Sequence, residues 1–132
     1  RKQAVVSRTI LVADDETHIL NVVSLKLRNA GFTVVCASDG QDAWELAKAQ
    51  APDLLITDYH MPRLNGLELC QRFRADPALS HVPAIMLSAR GSHLEESETE
   101  KSGIVRMISK PFSPRQLLTT VDEILATAGS LS

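Results

Sequence analysis

Cysteine is scarce: only two stand among the 132 residues, Cys36 and Cys70, and both sit in apolar surroundings. Placed so, they read as two small buried hydrophobes in a reducing compartment, with a disulfide between them as the lesser alternative. Positive charge is not in excess either. A net charge of -2 provides no field for gripping nucleic acid or an anionic membrane. Any DNA-related role would therefore belong to another polypeptide segment. Apolar runs stay well short of the roughly 18 residues that a membrane span needs. Arg1-Lys2-Gln3 does not lead into the apolar core of a signal peptide. Internal repeats and low-complexity tracts are missing too.

What is present fits one globular domain. The length leaves little room for a second, and at this size folding can bury well over half of the unfolded surface. An apolar content of 44% is ordinary for such a domain. Five short apolar runs recur, at residues 9–13, 33–37, 53–57, 83–88 and 104–109. Bounded by turn residues, they read as strands buried on both faces. Helical spacing fills the intervals. Ile19, Val23, Leu27 and Ala30 form one stripe, with Gly31 as its stop signal. Asp39 or Gly40 opens a second helix with Ala43, Leu46 and Ala47 inward. Leu69, Cys70 and Phe73 mark a third, ended at Asp76-Pro77. Ser113 as N-cap and Pro114 at the first helical position open the last, with Leu117, Leu118, Val121, Ile124 and Leu125 inward. Residues 91–102 differ, because Leu94 is their one large apolar residue amid Glu95, Glu96, Glu98 and Glu100. A helix there is expected to be short or marginal. Residues 8–128 form the expected domain, and 1–7 and 129–132 the tails or linkers.

Strict alternation of strand and helix implies a parallel sheet with helices on both faces. The residues that follow each strand carry the chemistry. The first strand runs into Asp14-Asp15-Glu16, the third into Asp58, the fourth into Ser88 and the fifth into Lys110. The second ends in Ser38-Asp39, adds nothing similar, and is expected at the outside. Open parallel sheets bind ligands beyond the carboxyl ends of their strands. Clustered carboxylates need a cation between them, and hard oxygen donors with room for water and phosphate oxygens suit Mg²⁺, then Mn²⁺. Lys110 is a point charge for a phosphoryl oxygen, and Ser88 can donate to another. A carboxylate flanked by a metal and a lysine is placed to attack phosphorus. Taken singly, each has a plainer reading: Asp14-Asp15 as a helix cap, Asp58 as a loop acid, Lys110-Pro111 as a surface turn. It is their joint placement at strand ends that points to phosphoryl chemistry.

Several segments carry a family resemblance. Val12-Ala-Asp-Asp-Glu16, Leu54-Leu-Ile-Thr-Asp-Tyr-His-Met-Pro62 with Asn65-Gly66, Ile85-Met-Leu-Ser-Ala-Arg90 and Ser109-Lys-Pro-Phe112 resemble the signatures of response-regulator receiver domains. The similarity runs over roughly residues 8 to 128. It implies a flavodoxin-like α/β fold, doubly wound, with a five-stranded parallel sheet in the order 2-1-3-4-5. By resemblance, Asp58 is the phosphoacceptor for a histidine kinase or phosphotransfer protein. Asp15 is a direct ligand of the metal, and Asp14 reaches it through water. Asp58 completes the carboxylates around the ion, and His60 contributes its backbone carbonyl. Ser88 is the switch hydroxyl, and Lys110 contacts the phosphoryl group. The Lys110-Pro111 bond resembles one that is cis in the family. A cytoplasmic regulatory domain is implied, one that promotes only its own phosphorylation and dephosphorylation.

Three features depart from the family pattern. Met107 stands where many relatives carry an aromatic switch residue, so a flexible thioether replaces the ring. The polar segment 91–102 lies where the fourth helix helps build the output face. His60 and Arg90 occupy positions that influence how water reaches the acyl phosphate. Two alternatives remain open. An unphosphorylated pseudo-receiver would serve as an interaction module. A phosphatase with an aspartyl nucleophile would need Asp-x-Asp-x-Thr/Val after its first strand, whereas residues 14 to 17 read Asp-Asp-Glu-Thr.

Overall fold

Each of the five apolar runs forms a strand, and a helix follows every one. The computed structural model describes residues 7–89 and 94–130. In chain order the elements are β1 (Thr9–Ala13), α1 (Thr17–Asn29), β2 (Thr33–Ala37), α2 (Gly40–Ala49) and β3 (Leu54–Asp58). There follow α3 (Gly66–Ala75), β4 (Ala84–Ser88), α4 (Glu96–Lys101), β5 (Ile104–Ser109) and α5 (Pro114–Ser130). The strands are all parallel, in the order β2-β1-β3-β4-β5. This is the expected doubly wound order, with β2 at one edge.

Side chains alternate across the pleat, so each inner strand feeds two cores. Leu11, Leu55 and Met86 meet Ala43 and Ala47 of α2 and Leu69, Cys70 and Phe73 of α3 on one face. Ile10, Val12, Leu54, Ile56, Ile85 and Leu87 meet Leu20, Val23 and Leu27 of α1 and Leu117, Val121 and Leu125 of α5 on the other. Full burial of one such Leu, Ile or Phe side chain contributes about 1.5–3 kcal/mol. These two layers lock the sheet, and the sheet fixes where its strands end.

Helix ends follow the local chemistry. Asp39 caps α2 by accepting from the Asp42 amide at 2.8 Å. Asn65 and Glu68 form a reciprocal capping box at the start of α3. Ser113 accepts from the Gln116 amide at 3.3 Å ahead of Pro114. At the end of α1, Gly31 adopts φ +100°, while its own amide reaches Arg28 O at 3.0 Å and that of Phe32 reaches Leu27 O at 3.1 Å. That paired closure is the Schellman arrangement, which favours glycine at its left-handed position. Among the described residues no helix is long and apolar enough to cross a membrane.

Burial departs from expectation at a few positions. Ala30 is exposed because it lies past the last turn of α1, and Leu20 takes a core place instead. Leu46 is 38% exposed, because the face of α2 that meets the sheet is filled by the smaller Ala43 and Ala47. Cys36 is half-buried on the edge strand while Cys70 is fully buried, and both thiols are free. β5 is the clearest correction: it is not covered on both faces. Val105, Arg106 and Met107 are all exposed. It is the second edge strand, and α4 is only six residues long, as its polar sequence suggested. Leu94 packs partly against the core, whereas residues 91–93 lie outside the described residues. Val105 is the extra residue of a bulge, since Ala84 is in register with Ile104 but Ile85 with Arg106.

Candidate functional site

The carboxyl ends of β1, β3 and β4 lie side by side, so Asp14, Asp58 and Ser88 reach one rim of the sheet. All three are buried, with Asp14 wholly so. Lys110 follows β5, and its amide donates to Ser88 O at 2.7 Å, which ties the end of β5 to that of β4. The Lys110-Pro111 peptide is cis. From there the Lys110 ammonium crosses the rim. Its Nζ lies 2.9 Å from Asp14 Oδ2, 2.7 Å from Glu16 Oε1 and 3.4 Å from Asp58 Oδ1.

These three contacts are not alike. That to Glu16 is a directed hydrogen bond. That to Asp14 is a close ion pair, through which the buried Asp14 Oδ2 is held. Asp14 Oδ1 accepts from the Glu16 amide at 2.9 Å, and Asp58 Oδ1 from the Tyr59 amide at 3.0 Å. Burial pushes the Asp14 carboxyl above the ordinary carboxylate range, against the pull of the Glu16 amide and Lys110. Burial and then the charge of Asp14 push Asp58 the same way, with Lys110 and the Tyr59 amide opposing. For Lys110, burial disfavours the charge, but Glu16, Asp14 and Asp58 outweigh it and raise its pKa. The hydrogen bond from Lys110 holds Glu16 below its ordinary value.

The rim is supported by the loop after β3. Gly66 opens α3 and donates its amide to Tyr59 O at 2.8 Å. A Cβ at Gly66 would run into the Asp58 carbonyl oxygen and come within 3.0 Å of both the Asp58 carbonyl carbon and Met86 Sδ. Only glycine lets α3 approach the phosphoacceptor candidate so closely. Arg63, in the left-handed region at φ 70°, pairs with Asp39 and Asp42 at 3.2 Å each and pins the loop to the start of α2.

Of the residues singled out from the sequence, Asp14 and Asp58 are each brought within ion-pair distance of Lys110, and Ser88 stands at the adjoining strand end. Asp15 is exposed and outside the carboxylate cluster. His60 is exposed, its ring 4.8 Å from that of Tyr59. Arg90 lies outside the described residues. Glu16 is the residue that sequence reasoning passed over. It stood in view as the third acid after β1, but its contact with Lys110, 94 positions away, needed the fold.

Carboxylate oxygens of Asp14, Glu16 and Asp58 lie within 4.8 Å of one another. With Asp14 Oδ2 held by no group other than the Lys110 ammonium among the described residues, the donor set fits a hard divalent cation such as Mg²⁺. The group combines buried carboxylates with an ammonium within reach.

Comparison with known proteins agrees with that geometry. The family model "Response regulator receiver domain" matches residues 10–122. The chain is 35% identical to chemotaxis protein CheY1 of Helicobacter pylori, over 89% of this chain and 97% of that protein. It is 34% identical to the alkaline phosphatase synthesis transcriptional regulatory protein PhoP of Bacillus subtilis, over 90% of this chain and 49% of that protein. The chain thus spans about half the length of the transcriptional regulatory relatives it matches. Among solved structures, chemotaxis response regulator CheY4 of Vibrio cholerae superposes with a TM-score of 0.83 at 30% identity, covering 90% of this chain and 99% of that one.

Proposed function

The chain belongs to the response regulator receiver domain family, and from that premise we propose that it accepts a phosphoryl group on Asp58 from the phosphohistidine of a histidine kinase or phosphotransfer protein. The observation that carries this reading is the convergence of Asp14, Asp58 and Lys110, delivered by three different strands, within ion-pair distance.

A carboxylate oxygen of Asp58 attacks phosphorus in line with the scissile bond. The P–N bond of the donor breaks, its electron pair returns to the imidazole, and Asp58 is left as an acyl phosphate. Lys110 neutralises charge on one phosphoryl oxygen, and the Ser88 hydroxyl donates to another. Asp14, Asp15 and Asp58, with the backbone carbonyl of His60, would hold Mg²⁺ or Mn²⁺, which supplies further neutralisation of the phosphoryl oxygens. The exposed Asp15 side chain stands next to the buried cluster and can turn toward it. Burial raises the pKa of Asp58 and Lys110 opposes that rise, so positive charge at the rim favours the ionised nucleophile.

Signal output follows from Ser88. In register Ser88 pairs with Ser109 and Met86 with Met107, so Ser88 and Met107 belong to the same face of the sheet. A shift of the Ser88 hydroxyl toward a phosphoryl oxygen opens space on that face, and the half-exposed Met107 thioether can follow it. The domain would work in the cytoplasm beside its kinase, and a transcriptional output, where there is one, would reside in another segment. Incubation with acetyl phosphate and Mg²⁺, followed by intact-mass measurement, tests the reading. Wild type should gain one phosphoryl group and Asp58→Asn none; equal labelling of both would refute it.

A further inference from the structure

Lys110 has one ammonium and three carboxylates around it, and the way it divides itself among them is uneven. Its directed hydrogen bond goes to Glu16, at 2.7 Å, while Asp14 holds it as an ion pair at 2.9 Å and Asp58 at 3.4 Å. Burial divides the three acids just as unevenly. The Asp14 side chain is wholly buried, whereas that of Glu16 is 59% exposed. Glu16 therefore stands at the mouth of the cluster and shares the ammonium with the two acids that line its floor. Lys110 is the one polar side chain that the buried Asp14 Oδ2 meets among the described residues.

From this arrangement we infer that Glu16 is a positioning residue that takes a share of the Lys110 ammonium at the mouth, loosens its hold on the Asp14–Asp58 carboxylate pair, and so eases the entry of a divalent cation there. The inference rests on the phosphoacceptor reading and deepens it. An ammonium and a divalent cation compete for the same carboxylate oxygens. A lysine without an outer partner would settle its hydrogen bonds on Asp14 and Asp58, since an ammonium carries three donors and seeks acceptors for them. With Glu16 present, one donor is already committed at the mouth. When the cation arrives, the lysine yields the inner oxygens without losing its strongest contact. The carboxylate of Glu16 thus acts through Lys110, and a simple attraction between Glu16 and the cation is the rival account.

A double-mutant cycle on the full chain separates the two, with Mg²⁺ binding read directly by isothermal titration calorimetry. Glu16→Gln in the wild-type background should raise the Kd for Mg²⁺ roughly fivefold, the size of one partly exposed ion pair. In a Lys110→Ala background the same Glu16→Gln change should shift Kd by less than about 1.5-fold, because no ammonium remains to be shared. Circular dichroism confirms folding of each variant, and Lys110→Gln replaces Lys110→Ala where the alanine variant does not fold. Equal weakening in both backgrounds, or no weakening in wild type, overturns the inference and leaves the phosphoacceptor reading intact. A wild-type chain that binds no Mg²⁺ at millimolar concentration overturns both.

Discussion

Replacing Gly66 by alanine should damage the fold and the site together. The added methyl group meets backbone, the Asp58 carbonyl, and not the far end of a flexible side chain, so rotamer changes cannot relieve the overlap. Met86 Sδ, at 3.0 Å, crowds the same methyl group. Relief requires α3 to back away from β3, which stretches the hydrogen bond from the Gly66 amide to Tyr59 O. Overpacking of this kind costs about 1–3 kcal/mol. Weakening that backbone bond adds about 1 kcal/mol. A total near 3 kcal/mol corresponds to a fall in Tm of about 10 °C for a chain of this length. Urea titration followed by circular dichroism measures the loss, and acetyl phosphate labelling measures the effect on Asp58, whose backbone must shift too. Labelling should slow at least tenfold under conditions where the variant stays folded. A loss below about 0.5 kcal/mol, or a full loss of stability with labelling unchanged, would refute the argument that Gly66 couples the helix to Asp58.

The carboxylate cluster predicts an unusual pH response in metal-free protein. Asp14 and Asp58 have folded-state pKa values raised by burial, so the folded chain binds protons before the unfolded one does. Their contribution to stability is complete below the ordinary carboxylate value of 3.8 and is lost as pH rises through the raised values. Urea midpoints compared for wild type and Asp58→Asn between pH 4 and 7 should show the variant gaining on wild type as pH rises, and saturating Mg²⁺ should shrink that gap. Thiol chemistry offers a separate check: burial pushes the Cys70 thiol up to about 12, while Cys36 is half-buried. In native protein at pH 8 a maleimide should modify Cys36 first, with Cys70 slower by at least tenfold and released only on unfolding, as peptide mass mapping would show.

Much of the architecture was legible in the sequence because the inner strands are buried on both faces and therefore read as unbroken apolar runs. β1, β3 and β4 are of this kind, and their ends gave Asp14, Asp58 and Ser88 directly. Reading failed where burial is decided by a neighbour. The apolar run of β5 looked like another inner strand, yet it lies at the sheet edge, with Val105 looped out in a bulge and Met107 exposed. Leu46 suited the helical stripe of α2, but Ala43 and Ala47 already fill the contact with the sheet. Glu16 was visible as an acid and invisible as the partner of Lys110, because no local spacing encodes a contact between the first and last strand ends. The need for glycine at 66 is of the same type. Sequence shows Asn65-Gly66 as a turn and helix start, and only the packed structure shows the Asp58 carbonyl behind it.

The bulge at Val105 has an electrostatic consequence. A regular ladder continuing from the Ala84–Ile104 pair would put Val105 opposite Ile85 and Arg106 opposite Met86, on the face that Ser88 shares. With one residue looped out, Met107 faces Met86 instead, and Arg106 turns to the opposite face, where it pairs with Glu123 of α5 at 3.5 Å. A guanidinium is thereby exchanged for a thioether along the flank that leads to Ser88. The potential felt at Asp58 is then governed by groups at the rim, where bound ions and a phosphoryl group can change it, and not by a fixed cation set into the wall of the sheet.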